Sequence, residues 1–223
     1  MRINIMGSAP GWQDVPENNG FIWGVNNTHL LRKVDRIIDV HVSRLNIKET
    51  KDKYHLEQLK EKDIEAYLHS EISDMPNVKR YPIEAVMEYF DTDYFACGLD
   101  YMIALAIYEG ATEIHIYGVW LAGGTEYAHQ KASMEYWIGI VKGMQLAGRD
   151  IKIEVHGDRT ALLKTHNGLM YGYQTSQKWV KGQHPNHKTL QELIEMYDDP
   201  IKEEESKDET ETTHDNICNK ITK

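Results

Sequence analysis

Short apolar runs that stop abruptly at small or polar residues recur along this chain. Ile3, Ile5 and Met6 are too few for a helix but suit one buried strand. The residues that follow, Gly7-Ser8-Ala9-Pro10-Gly11, end it: Pro10 lacks a backbone donor, and the two glycines permit angles that strands do not use. Phe21 to Asn27 reads as a second strand closed by two asparagines, and Asp35 to His41 as a third that ends in Asp39 and His41. From Asn46 to Ser73 the chain is polar, with helical spacing at Tyr54, Leu56, Leu59, Ile64, Tyr67 and Leu68. That stretch predicts a helical insertion, a surface pair or a lid outside the central sheet. Val78 to Pro82 predicts an edge strand, with Pro82 opening a helix through Phe90.

Ala96 to Trp120 is the most informative stretch. Small residues Ala96, Cys97 and Gly98 precede apolar Leu99, Met102, Ile103, Ala106 and Ile107, and Gly110 supplies a C-terminal stop. Glu113 to Val119 then alternates as a strand. The loop Leu121 to Gln130 leads to a helix expected from about Ala132 to Leu146, and Asp150 to Gly157 is a last strand. His187 to Asp199 reads as a final helix. Strands alternating with helices predict an α/β fold, a Rossmann-like, doubly wound, mostly parallel sheet. The expected organisation is one nucleotide-binding domain over 1–197, with the insertion near 46–73, and an acidic disordered tail over 198–223.

Charge sharpens that division. The net charge is −10, and nine acids against two lysines between Asp198 and Asp215 account for −7 of it. Such a tail cannot bury enough apolar surface to fold. Neither portion carries the basic stripe that long nucleic acid requires. No run approaches the roughly 20 apolar residues of a membrane span, and the first apolar run is too brief for a secretory signal. Two cysteines, Cys97 and Cys218, give no disulfide framework, so the expected location is the cytoplasm. A chain of this size with an exposed sheet edge is also a candidate homo-oligomer.

In a parallel sheet, polar groups at the strand ends converge on one edge. Ser8, Asn26, Asn27, Asp39 and His41 belong to that set, and Cys97, Gly98, Tyr127 and His129 arrive at the same edge. Asparagine, both donor and acceptor, suits nucleobase and ribose edges. The small residues before the Leu99 helix offer a helix N-terminus to an anion. His129, beyond the flexible Gly123-Gly124 pair, is either a general acid or base or a surface histidine at a helix start. Cys97 is either a thiol of lowered pKa or a small packed residue, Tyr136-Trp137 reads as core, and Tyr171 and Tyr173 stay open. No G-x-G-x-x-G or G-x-x-x-x-G-K-[ST] occurs, which disfavours an NAD enzyme or a P-loop ATPase. Asp91-Thr92-Asp93 is a D-x-D tripeptide that can hold a divalent metal or cap a helix. The eleven histidines lack H-E-x-x-H or Cys/His spacing, which argues against structural zinc. No metal site is therefore assigned.

The order GSAPGW, WGVNN, ACGLDYMIALAIYEGATEIHIYGVW and EYAH resembles a Rossmann-like superfamily. It groups bacterial sialyltransferases of the CMP-sialic-acid type with archaeal pterin diphosphokinase-like proteins of unknown-function family 115. By that resemblance, this chain looks like a short protein of a tailed phage. The resemblance spans roughly Met1 to Tyr173 without Asn46 to Ser73. It implies that Gly7, Ser8 and Asn26 contact a nucleotide's phosphate and ribose, that Cys97-Gly98 receives base or phosphate, and that Tyr127 touches the donor phosphate. It implies no D-x-D metal. Two departures stand out: Ala96-Cys97-Gly98 replaces a Thr-Ser-Gly turn, and Trp120 stands where the family often has an aspartate after Gly-x. The loss of that acid leaves room for base stacking on Trp120. Three functions follow: a glycosyltransferase-like transferase using a nucleotide-activated donor with His129 as base, a non-catalytic phage protein holding a nucleotide or nucleotide-derived signal, and a pterin or nucleotide diphosphokinase.

Overall fold

The computed structural model describes residues 1–41, 50–157, 160–165 and 169–171, with backbone alone at 50–54 and 125. The chain divides into two compact units, Met1–Lys164 and Thr165–Lys223, and the elements below belong to the first. The expected helix over His187 to Asp199, the tail over 198–223, Tyr173 and Cys218 lie outside the described residues, while Tyr171 is exposed.

Seven strands form one sheet among these residues: β1 (Arg2–Met6), β2 (Phe21–Val25), β3 (Arg36–Asp39), β4 (Glu65–Leu68), β5 (Val78–Arg80), β6 (Glu113–Tyr117) and β7 (Lys152–Val155). Their order is β5-β4-β3-β2-β1-β6-β7 and every pair is parallel. Four helices accompany them, α1 (Thr50–Glu61), α2 (Ile83–Phe90), α3 (Gly98–Tyr108) and α4 (Thr125–Leu146). The architecture is the Rossmann-like α/β sheet that the alternation of apolar runs predicts, with all strands parallel rather than most. No helix among the described residues is long and apolar enough to cross a membrane.

Both faces of the central strands β1, β2, β3 and β6 are covered, which is why these strands read as apolar runs. On one face Ile3, Ile5, Ile114 and Ile116 pack with Met102, Ile103 and Leu105 of α3 and with Met134, Trp137 and Ile138 of α4. Each such side chain contributes about 1.5–3 kcal/mol by leaving water. Tyr136-Trp137 divides as α4 turns: Trp137 is fully buried and Tyr136 is exposed. The other face packs Met6, Ile22, Ile37, Ala66 and Tyr117 with Leu56 and Leu59 of α1.

Two expectations need correction. Asn46 to Ser73 is not a helical insertion outside the sheet, because its described residues give one helix, α1, and then a strand of the sheet, β4. Ile64, Ala66 and Leu68 are buried in alternation, whereas Glu65 pairs across the strands with Arg36 and Lys79 at 2.6 Å each. Ile64 and Leu68 matched the helical period only because four residues also make two strand repeats. Second, α4 begins at Thr125, not near Ala132. Gly124, at φ 72°, ends the loop, and no glycine or proline follows it before Gly139. Glu126 in the first turn complements the helix dipole. Tyr127 and His129 therefore ride on a helix rather than a mobile loop.

Candidate ligand cleft

From β1 the chain moves outward through β2 to β5, then returns to place β6 on the opposite side of β1. At such a reversal the loops beyond the strand ends normally part and leave a crevice. Here they are stitched together. The Gly7 amide donates to the Tyr117 carbonyl and the Ala9 amide to the Gly118 carbonyl, both at 2.9 Å. The approach demands glycine on both sides. A Cβ at Gly7 would lie 2.4 Å from the Gly118 carbonyl oxygen, and one at Gly118, which sits at φ 62°, would lie 2.8 Å from the carbonyls of Gly7 and Ala9. The abrupt end of β1 at GSAPG thus makes a firm floor.

Above that floor lies a cleft of about 640 Å³. One wall holds Val25, Asn26 and His41, the facing wall Ala96 to Leu99, and the rim Trp120 to Ala122 with Glu126, Tyr127 and Gln130 of α4. Gly7, Ser8, Asn26, Cys97, Gly98, Trp120 and Tyr127 come together here. Asn27 is exposed and turned away, and Asp39 is buried behind His41. His129 is exposed on α4 and does not line the cleft, because Glu126, Tyr127 and Gln130 share a helical face that residue 129 does not join. Asp91 and Asp93 end α2 and lie outside it too, and the cap of α3 comes from Cys97 and Asp100 instead.

Asn26 adopts φ 53°, a left-handed angle that asparagine tolerates better than most residues. Its Oδ1 is buried and makes no hydrogen bond among the described residues. Opposite it, Gly98 leaves no room for a side chain: a Cβ there would meet Val25 Cγ2 at 2.8 Å. Behind the cleft Asp39 is fully buried, with one carboxylate oxygen 2.6 Å from His41 Nδ1 and the other 3.4 Å from His55 Nε2. His41 itself is half-exposed toward the cleft. This pair lies within the strand-end set that contains Asp39 and His41, whereas His129, the base expected from its place after Gly123-Gly124, stands outside the cleft.

The N-terminus of α3 is already occupied. Asp100 Oδ2 accepts the Ala96 and Cys97 amides at 2.8 and 3.0 Å and the Ser133 hydroxyl, and a reciprocal capping box joins Cys97 to Asp100. Burial raises the Asp100 carboxyl above its ordinary range, even though these donors pull the other way. Burial and Asp100 also push the Cys97 thiol up to about 12, so Cys97 is a packed, protonated thiol rather than an activated one. An anion at this helix end would face a carboxyl group. Among the described lining residues there is no lysine or arginine.

No family model matches the chain, and no curated protein matches it either. Among solved structures it is similar to the sialyltransferase CstII from Campylobacter jejuni in complex with a substrate analogue, cytidine-5'-monophosphate. The identity is 15% over 72% of this chain and 81% of that one, with a TM-score of 0.46. It is likewise similar to the same sialyltransferase in complex with CMP-3FNeuAc, at 15% identity over 69% and 79% of the two chains and a TM-score of 0.45.

Proposed function

We propose that the cleft binds a nucleotide-activated donor and that the protein is a glycosyltransferase-like transferase. The observation that carries this reading is the His41–Asp39 pair at the wall of a cleft that also presents Asn26, Trp120 and Tyr127. The 2.6 Å contact to a carboxylate puts a proton on His41 Nδ1 and leaves the Nε2 lone pair free. His41, rather than His129, is then the general base, and Asp39 fixes its tautomer. Nε2 takes the proton of an acceptor hydroxyl as that oxygen bonds to the donor's activated carbon. The carbon–oxygen bond to phosphate breaks and the nucleotide leaves with the electron pair. The Tyr127 hydroxyl is a donor available to the departing phosphate, the exposed face of Trp120 suits a base, and Asn26 suits a ribose or base edge. Removing such a base lowers turnover by about 10²–10⁴.

A second reading is a non-catalytic holder of a nucleotide. It is favoured by the self-capped α3 N-terminus and by the absence of a cationic side chain among the described lining residues. Calorimetric titration with a panel of nucleotides and nucleotide sugars tests the shared premise. Stacking worth about 1–3 kcal/mol predicts that Trp120→Ala weakens binding roughly tenfold. If no member of the panel binds, both readings fail; if a donor binds but survives intact with every acceptor class, the second one stands.

A further inference from the structure

On the sheet face opposite α3 and α4, three side chains from β6 and the end of β7 meet. His115 and Glu154 are direct cross-strand partners, and His156 follows Glu154 by two residues on the same face. His115 Nδ1 lies 2.9 Å from His156 Nε2, and the Glu154 carboxylate lies 3.7 and 3.8 Å from those two nitrogens. Tetrahedral ligands bonded at about 2.0–2.1 Å sit roughly 3.3 Å apart, so the three atoms already stand near the spacing of a coordination triangle.

We propose that His115, Glu154 and His156 form a binding site for a divalent transition-metal ion of the zinc type, with a fourth position open. The donor set of two imidazoles and one carboxylate suits zinc and its neighbours rather than magnesium or calcium. The surroundings are those of a built site. His115 is 4% exposed, and its far nitrogen, Nε2, lies 3.4 Å from Glu113 Oε2, the carboxylate backing that orients metal-bound histidines. Glu113 is itself held by Arg2 and Lys152 at 3.5 Å. The His156 ring stacks on Tyr117 at 4.2 Å and 3°, and its amide extends the β6–β7 ladder to the Ile116 carbonyl. Two of the three ligands are thus locked by neighbouring rings, carboxylates or backbone before any ion arrives. His156 also lines a separate cleft of about 220 Å³ with Asp14, Trp120 and Thr160. The inference stands independently of the nucleotide reading.

The test uses the full chain, stripped with chelator, dialysed, and titrated with Zn²⁺ and with Co²⁺, whose visible absorption reports its ligands. One equivalent should be retained through gel filtration, the cobalt complex should show tetrahedral or five-coordinate bands, and the melting temperature should rise with zinc. His156→Ala should lower affinity at least 100-fold, and Glu113→Gln 10–100-fold through lost orientation of His115. Glu154→Gln, at an exposed side chain, should fold normally and still weaken binding. His129→Ala should leave it unchanged. Failure to retain metal, or retention with undiminished affinity in both His156→Ala and Glu154→Gln, overturns the site.

Discussion

Replacing Gly7 by alanine probes the joint on which the cleft rests. The new Cβ would lie 2.4 Å from the Gly118 carbonyl oxygen and 3.0 Å from Val119 Cγ2, and the first of these is backbone that cannot swing aside. The loops beyond β1 and β6 must therefore separate. Overpacking of this kind costs about 1–3 kcal/mol. Separation also strains the hydrogen bonds from the Gly7 and Ala9 amides, each worth about 0.5–1.5 kcal/mol. The expected loss is about 2–5 kcal/mol, or roughly 5–15 °C in melting temperature for a domain of this size. The same chemical change at Gly139 is the control. That glycine is exposed within α4 with nothing within 4 Å of an added Cβ, so alanine there should stabilise by about 0.5–1 kcal/mol through helix propensity. Urea and thermal unfolding followed by circular dichroism measure both. A Gly7→Ala protein within half a kcal/mol of the parent would refute the tight joint between the two loops.

Three further outcomes follow from the same geometry. His29 is 3% exposed and held at a pKa of about 4, chiefly by burial, then by His55 and Lys62 and against the weaker pull of the Asn26 backbone and of Asp39. The unfolded chain thus binds the extra proton first as pH falls below about 6.5. Stability should drop by about 3 kcal/mol between pH 6.5 and 4, and His29→Phe should flatten that dependence in denaturant titrations; an unchanged slope would exclude His29 as its source. Arg36 joins Glu65 and Glu109 at 2.6 Å each and lies 4.4 Å over the Trp23 ring. Arg36→Ala should cost about 2–3 kcal/mol, discounted for the partial exposure of both carboxylates, and a loss below half that in urea melts would show the network to be idle. Cys97, with its thiol near 12, should react with iodoacetamide at pH 8 more than 100-fold slower in the folded protein than in urea. Peptide mass mapping reads this site alone, and equal rates would contradict the burial.

Much of the sheet was legible because a strand buried on both faces is written as an apolar run, and small residues mark where it stops. β1, β2, β3 and β6 announce themselves that way, as does the α3 helix ended by Gly110, while β7 shows instead the alternation of exposed Lys152 and Glu154 with buried Ile153. β4 was hidden because Glu65 and Tyr67 are polar or amphipathic on the side where Arg36 and Lys79 receive them, a partnership that no local pattern carries. The strand-end residues, His41 among them, were visible as a set, but nothing in the sequence set His41 above His129. Residue 129 was expected in the loop before a helix starting near Ala132, but α4 begins seven residues earlier, at Thr125, and carries it on an exposed helix face, whereas His41 is fixed by the end of β3. The α3 N-terminus looked open to an anion, yet Asp100, one turn inside the helix, fills it. The His115, Glu154 and His156 cluster was invisible for another reason. His115 lies about forty residues before Glu154 and His156, and it meets them only through the parallel register of β6 and β7.

The most direct measurement is turnover. Purified protein and its His41→Ala variant should be incubated with a panel of nucleotide sugars and simple hydroxyl acceptors, and free nucleotide quantified by liquid chromatography and mass spectrometry. The expected result is release of free nucleotide from one donor, falling 10²–10⁴-fold in His41→Ala while donor binding persists and His129→Ala stays near the parent rate. A donor that is consumed equally fast without His41 would contradict the assignment of the base. Binding without consumption of any donor would contradict transfer itself.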